Sequence, residues 1–388
     1  MESSFATGKL GARPDDLTAL LREEGPFLTV YLTTEGAVPN AGQLSEKRWK
    51  ALREDLSASS PEVPDAALDA VEALVGEAHL SGETLAVVAG PAGVRHVEHH
   101  PEPPSRDLAR WGPLPLIGPL IEWRQQSPTH LLVLADRTGA DLITVVHSDS
   151  EGLASPAGAD SGAQARTETT VQPPSVAGMS QRRNHQRAEN SWADNARSEA
   201  DAVARLVDAH QPRLVLAAGD VRAVQMLRDA VPNQVRDIME VIEGGRTVDG
   251  SSDDLADEVV RQVSSAVAED TVAVLHQLRS LLGQGQATEG ADAVLDALRQ
   301  SQVELLILHD DPDDDRTAWF GLATGQVAMS SQELEDLGVD QLRRGRLADV
   351  VLLGALETGA AVRIVPHGGG PADDLGALLR WPTPEGVG

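Results

Sequence analysis

The sequence predicts an α/β protein of more than one domain. Apolar β-type runs such as Phe27-Leu28-Thr29-Val30-Tyr31-Leu32 and Leu214-Val215-Leu216-Ala217-Ala218 alternate with segments whose apolar residues recur at helical spacing. Strand and helix patterns in that order build parallel or mixed sheets with helices packed on them. At 388 residues, the chain is also longer than one ordinary hydrophobic core serves.

Residues up to about Arg124 read as a first α/β section. After the strand at 27–32, Leu44, Trp49, Leu52 and Leu56 mark the apolar side of a helix whose other side carries Lys47, Arg48, Lys50 and Arg53. A second helix is expected over 66–75. Leu85–Ala89 and Val94–Val97 flank Gly90-Pro91-Ala92-Gly93 as a hairpin. A new section starts near Pro128, with strands at 130–135 and 140–146 joined by Asp136-Arg137-Thr138-Gly139. Residues of about 152–175 are rich in Ala, Ser, Gly and Thr and read as a flexible linker or flap. A helix follows from about Gln181 through Trp192, Ala196, Ala200, Ala204 and Leu206. Asp220, after the strand at 214–218, is placed to cap the next helix. In the last section a long helix is expected over 253–282, ended by Gly283-Gln284-Gly285-Gln286. A second helix at 291–298 and strands at 303–308 and 361–365 complete it. The expected domains are therefore 1–126, 127–248 and 249–388.

Composition narrows the function. The formal net charge of -28 argues against wrapping DNA, where many phosphates need neutralising at once. With one Tyr and three Phe, stacking platforms for single-stranded RNA are scarce. No cysteine is present, which excludes thiolate nucleophiles, disulfides and Cys-ligated zinc. No run reaches the ~18–20 apolar residues of a membrane helix, and the N-terminus lacks the order of a signal peptide. A cytoplasmic location without membrane attachment is expected.

Against that acidic background, one segment stands out: Ala177-Gly178-Met179-Ser180-Gln181-Arg182-Arg183-Asn184-His185-Gln186-Arg187. It sets Arg182, Arg183, His185 and Arg187 at the mouth of a long helical pattern, where a polyanion can dock. Other candidates are weaker. Asp310, Asp311, Asp313, Asp314 and Asp315 lack the glycine and distal glutamate of a calcium loop and read as a solvated acidic turn. His96, His99 and His100 have no carboxylate or cysteine at ligand spacing, and His367 before Gly368-Gly369-Gly370 reads as an exposed loop. No metal site and no cofactor are expected. Phosphate-loop, dinucleotide and serine-hydrolase motifs are missing too.

The stretch 178–203 resembles the central motif of the bacterial and archaeal relatives of the eukaryotic-type peptide chain release factor, the Pelota superfamily. That motif has a Gly-x-x-Gln loop, an Arg-Arg helix start, then a Glu and a Trp. Gly178, Gln181, Arg182, Arg183, Glu189 and Trp192 stand in those places. The strands at 130–135 and 140–146, the unit at 290–308 and the closing Gly376-Ala377-Leu378-Leu379-Arg380-Trp381 are similar to the family's in the same order. The actinobacterial, Balon-like branch of ribosome hibernation factors is the part of the superfamily it looks closest to.

The resemblance implies a three-domain translation factor in the ribosomal A site, with a mixed sheet and packed helices in each domain. Its first domain would face the decoding centre, with Lys47, Arg48, Lys50 and Arg53 as possible rRNA contacts. The loop of Gly178, Met179, Ser180, Gln181, Arg182, Arg183, His185, Gln186 and Arg187 would face the peptidyl-transferase centre and any tRNA there. The last domain would meet elongation factor Tu or a related GTPase. In hydrolytic relatives the glutamine follows two adjacent glycines and positions a water at the peptidyl-tRNA ester. Met179 and Ser180 precede Gln181 here, so the expectation is a hibernation factor protecting idle ribosomes. The alternative is a peptidyl-tRNA hydrolase acting through Gln181.

Overall fold

The computed structural model describes residues 11–34, 40–76, 78, 83–100, 104, 106–136, 139–146, 165–171, 181–243 and 251–382, with the backbone alone at 139, 146, 165–171, 181–195 and 251–253. They form mixed α/β structure in two compact units. One is built from residues up to Gln125 and from Glu269 onward, the other from Gln126–His147 and Gln164–Ala268. Among the described residues, no helix is long and apolar enough to cross a membrane.

The first unit opens with helix α1 (Asp15–Leu21) and strand β1 (Phe27–Thr33). Helices α2 (Ala41–Ser59) and α3 (Asp65–Val75) follow, then β2 (Thr84–Gly90), β3 (Gly93–His100), β4 (Leu108–Gly112) and helix α4 (Gly118–Gln126). The strands make an antiparallel sheet in the order β3-β2-β1-β4. Alternation along the strands sends Leu28, Val30, Leu32, Leu85 and Val87 to one face, against Trp49 and Leu56 of α2 and Leu68, Val71 and Val75 of α3. The opposite face carries Phe27, Tyr31, Ala86 and Val88, and these enter a core shared with the C-terminal section. β1 is covered on both faces, and its sequence is accordingly an almost unbroken apolar run.

In the second unit β5 (His130–Asp136), β6 (Gly139–Val146), β7 (Ala165–Val171), β8 (Leu214–Gly219) and β9 (Met239–Val241) form one mixed sheet in the order β7-β6-β5-β8-β9. β5 pairs parallel with β8, and β8 with β9, while β6 and β7 are antiparallel additions. Helices α5 (Gln181–His210), α6 (Val221–Ala230) and the short α7 (Asn233–Arg236) connect these strands. Ala200, Val203 and Val207 of α5, with Val224 and Leu227 of α6, cover Leu131, Val133, Val215 and Ala217. Helix α8 (Ser251–Leu282) covers the other face, where Leu255, Val263 and Ala266 meet Leu214, Leu216 and Ala218. Within the stretch of about 152–175 expected as a linker, Ala165–Val171 form the strand β7. Ala165-Arg166-Thr167-Glu168-Thr169-Thr170-Val171 is rich in β-branched residues, and it pairs with Ala140–Val146 of β6. The rest of that stretch lies outside the described residues.

Back in the first unit come β10 (Ala287–Glu289), α9 (Ala291–Arg299), β11 (Val303–Leu308), β12 (Thr317–Phe320) and β13 (Val327–Ala328). They are followed by α10 (Ser331–Asp336), β14 (Arg343–Arg346), α11 (Leu347–Glu357), β15 (Ala361–Ile364) and β16 (Leu375–Leu379). The main sheet runs β10-β16-β11-β15, with β11 and β15 parallel; β13-β12-β14 form a small second sheet. One face of the main sheet, with α9 and α11, joins Leu17, Tyr31, Leu116 and Trp123 in the shared core. The other packs on Val274 and Leu278 of α8. The N-terminal section also hydrogen-bonds along the edge of β15. Ala12 bridges Val362, and the Gln125 amide donates to the Val362 carbonyl (2.7 Å) and accepts from the Ile364 N–H (2.9 Å).

Candidate functional site

The basic cluster lies at the N-terminus of α5, a helix of 30 residues and about 45 Å. Gln181 is its first residue, and Arg182, Arg183, His185, Gln186 and Arg187 occupy its first two turns. Arg183 and Arg187 are one turn apart. The opening N–H groups of a helix have no carbonyl partner within it and carry partial positive charge, so helix polarity and arginines act in the same sense towards an anion. Gly178, Met179 and Ser180 lie outside the described residues. Buried positions on α5 include Ala196, Ala200, Val203 and Val207, the stripe that seats the helix on its sheet. After β8 the Asp220 carboxylate accepts from the N–H groups of Arg222 (3.0 Å) and Ala223 (3.2 Å), capping α6 as its position predicts.

On α2 the four basic residues divide. Lys47 and Lys50 are exposed. Arg48 instead donates to the Thr33 carbonyl (3.3 Å) and faces Asp107 (3.6 Å), and Arg53 pairs with Asp69 and Glu72. The uniform basic face read from the helical pattern is thus partly taken up by carboxylates of the same unit, which helical spacing does not reveal.

The acidic run is solvated at Asp311, Asp313 and Asp315, as its composition suggests, but not at Asp310. The Asp310 side chain is buried, and its Oδ1 accepts from Arg346 at 2.6 Å. Arg346 also grips Asp349 through Nη2 (2.8 Å) and Nε (3.2 Å). Asp313 meets Arg106 at 2.6 Å, and Asp314 meets Arg316 at 2.7 Å. Burial works against the charge of Arg346, but Asp349 and Asp310 outweigh it and raise its pKa. Burial pushes the Asp349 carboxyl up, and Arg346 offsets only part of that. Glu122 is likewise raised by burial, with Asp310 adding to the effect and His309 opposing it.

A second buried network joins α1, β3 and α4. Arg124 donates to both carboxylate oxygens of Asp16 (2.8 and 2.7 Å) and to Glu98 (2.9 Å), and Glu98 lies 3.2 Å from the His96 ring. Burial opposes the Arg124 charge, yet the two carboxylates raise its pKa; burial alone would raise Asp16, and Arg124 reverses that and lowers it. His96 and His100 are both buried and share a face, as strand alternation predicts. His100 stacks on Trp123, with ring centroids 4.8 Å apart. These groups hold sections of the fold together, and none is arranged as a nucleophile with its base.

Residues 129–284 match the family model of bacterial archaeo-eukaryotic release factor family 2. Over that stretch the chain is release-factor-like. The matched residues take in the described part of the second unit from residue 129 onward, including α5 with Gln181 and the arginines, and the whole of α8. Uncharacterized proteins of two Mycobacterium tuberculosis strains, CDC 1551 / Oshkosh and ATCC 25618 / H37Rv, are each 26% identical over 387 residues, covering 97% of this chain and 99% of theirs. Among solved structures, Archaeoglobus fulgidus Pelota is similar at 12% identity and TM-score 0.35, covering 97% of this chain and 94% of its own. An archaeal translation termination factor is similar at 14% identity and TM-score 0.26, covering 96% and 99%. Overlaps this loose carry no functional argument.

Proposed function

We propose that this protein is a cytoplasmic, ribosome-associated translation factor that occupies the A site and protects idle ribosomes. The observation that carries the reading is the release-factor match over 129–284, within which Gln181, Arg182, Arg183 and Arg187 open one long helix. Guanidinium groups there suit the phosphates of rRNA or of a tRNA acceptor end, which they engage through paired, charge-assisted hydrogen bonds. Exposed Lys47 and Lys50 supply a second contact to rRNA, and the C-terminal section meets elongation factor Tu or a related GTPase.

Catalysis is the second reading, favoured by the Gly-x-x-Gln spacing of Gly178 and Gln181. A glutamine is no general base, so its contribution would be to orient a water towards the ester carbonyl of peptidyl-tRNA. Two adjacent glycines let a backbone turn freely enough to bring an amide to that ester. With Met179 and Ser180 before Gln181, that freedom is missing, and this supports occupancy over hydrolysis.

Purified protein and a Gln181→Ala variant, incubated with stalled ribosomes carrying labelled peptidyl-tRNA and with empty ribosomes, separate the two. Co-sedimentation with empty ribosomes and no peptide release is the expected result for both proteins. Peptide release that needs Gln181 would overturn occupancy in favour of hydrolysis. Failure to bind ribosomes at low salt would remove both readings.

A further inference from the structure

The strand ends of the C-terminal sheet bring together residues that the sequence keeps far apart. His309 directly follows β11, His367 follows the neighbouring parallel strand β15, and Asp374 directly precedes β16. One ligand atom of each lies within 4.8 Å of the others. The sheet sets this convergence. Leu308 pairs with Leu375, the His309 N–H donates to the Asp374 carbonyl (2.9 Å), and the Val365 N–H donates to the Leu308 carbonyl (2.9 Å). The imidazoles are tilted by 53° with centroids 5.0 Å apart.

We propose that His309, His367 and Asp374 form a binding site for a first-row divalent cation of the zinc type. Two imidazoles and one carboxylate are a borderline-soft donor set; calcium and magnesium call for more oxygen ligands. Three protein ligands leave a fourth position for water or an outside group. Ligand atoms around a tetrahedral zinc stand about 3.3 Å apart, given bonds of about 2.0–2.1 Å. Closing the trio from 4.8 Å takes only small side-chain rotations.

Two outer contacts belong to such a site. The His309 Nδ1 lies 3.1 Å from the Val365 carbonyl, so Nδ1 carries the proton and Nε2 keeps its lone pair for a cation. Arg316 approaches Asp374 Oδ2 at 3.4 Å and holds the carboxylate while leaving Oδ1 free to ligate. Arg316 is itself fixed by Asp314 and by the Asp373 carbonyl (3.0 Å). Asp373 and Asp374 both take left-handed backbone angles (φ 53° and 63°). His367 is exposed and the other two are half-buried, so a cation reaches the trio from solvent.

The test uses the full-length, tag-free protein, stripped with a chelator and titrated with Zn2+ by calorimetry, with Co2+ as an optical probe. The expected result is one Zn2+ per chain at this site, and Co2+ d–d absorption of low-coordinate form. Removing one imidazole by His367→Ala should weaken binding by more than the ~10–100-fold that loss of an outer partner costs. Because His367 lies in an exposed loop, that variant should keep the circular dichroism and melting of the metal-free parent. His96→Gln, at a buried histidine in another part of the unit, should bind as the parent does. No binding at micromolar Zn2+, or binding that His367→Ala leaves intact, would overturn the site. Neither outcome bears on ribosome binding, which is read in a separate assay.

Discussion

Arg346 shows how much one side chain can settle. Its guanidinium stands between Asp310 and Asp349, all three nearly sealed from solvent. Replacing it with alanine leaves two carboxylates buried without their cation. The expected loss is on the order of 3–5 kcal/mol in the urea unfolding of the first unit. Asp16 gives a pH signature of opposite character. Its carboxyl is held below its ordinary value of 3.8 in the folded state, because Arg124 outweighs burial. The stability this supplies is therefore fully present above that value and lost as pH falls through the lower folded one. Between about pH 5 and about pH 3, the urea midpoint of the parent should fall more steeply than that of Asp16→Asn. Equal slopes would show that the pair carries no linkage. The arginine partners of the acidic run were not legible in its composition, since a run of aspartates looks the same whether solvated or clamped.

At the scale of elements, local chemistry was a good guide wherever a turn or a period decides the outcome. The hairpin of β2 and β3, the hairpin of β5 and β6, and the ends of α8 and α9 all lie close to where apolar period and Gly/Asp placement put them. The turn from β8 into α6 has two such requirements. Gly219 takes φ +127°, and a Cβ there would stand 1.9 Å from the Ala135 carbonyl oxygen, so only glycine fits. Asp220 then satisfies two of the helix's opening N–H groups. Asp220→Ala should cost about 1 kcal/mol of the second unit's stability, read as a lower melting temperature. Asp220→Asn should lose much less, because its amide oxygen still accepts. β7 escaped the sequence reading because Thr and Ser weigh little in apolar periodicity, yet a threonine-rich edge strand needs no apolar face of its own to pair with β6. The short β12, β13 and β14 were missed for a related reason. Strands of two to four residues carry too few periods to register.

Across the whole molecule, the first and last sections of the chain meet in one core that contains Leu17, Tyr31, Trp123, Leu306, Val350 and Val362. A fragment of residues 1–126 would expose one face of its sheet and lose the partners of Gln125 and Ala12. Such a fragment should be partly unfolded or aggregated by circular dichroism and gel filtration. Adding residues 269–388 in trans should restore cooperative melting. A sharp, independent transition of 1–126 alone would show that its sheet and helices α2 and α3 suffice.

Segment type, element order and the start of a basic helix at Gln181 were determined by the sequence itself, because side-chain period, capping and turn chemistry act over a few neighbouring residues. The release-factor likeness of 129–284 belongs with these, since it rests on residues in order along the chain. Tertiary structure alone decided which strands lie side by side, which carboxylates receive an arginine and where His309, His367 and Asp374 meet. Those outcomes depend on contacts between residues distant in the chain, such as Gln125 and Val362, 237 positions apart. No local pattern encodes them: the free energy that selects them comes from burying surfaces the chain brings together only on folding.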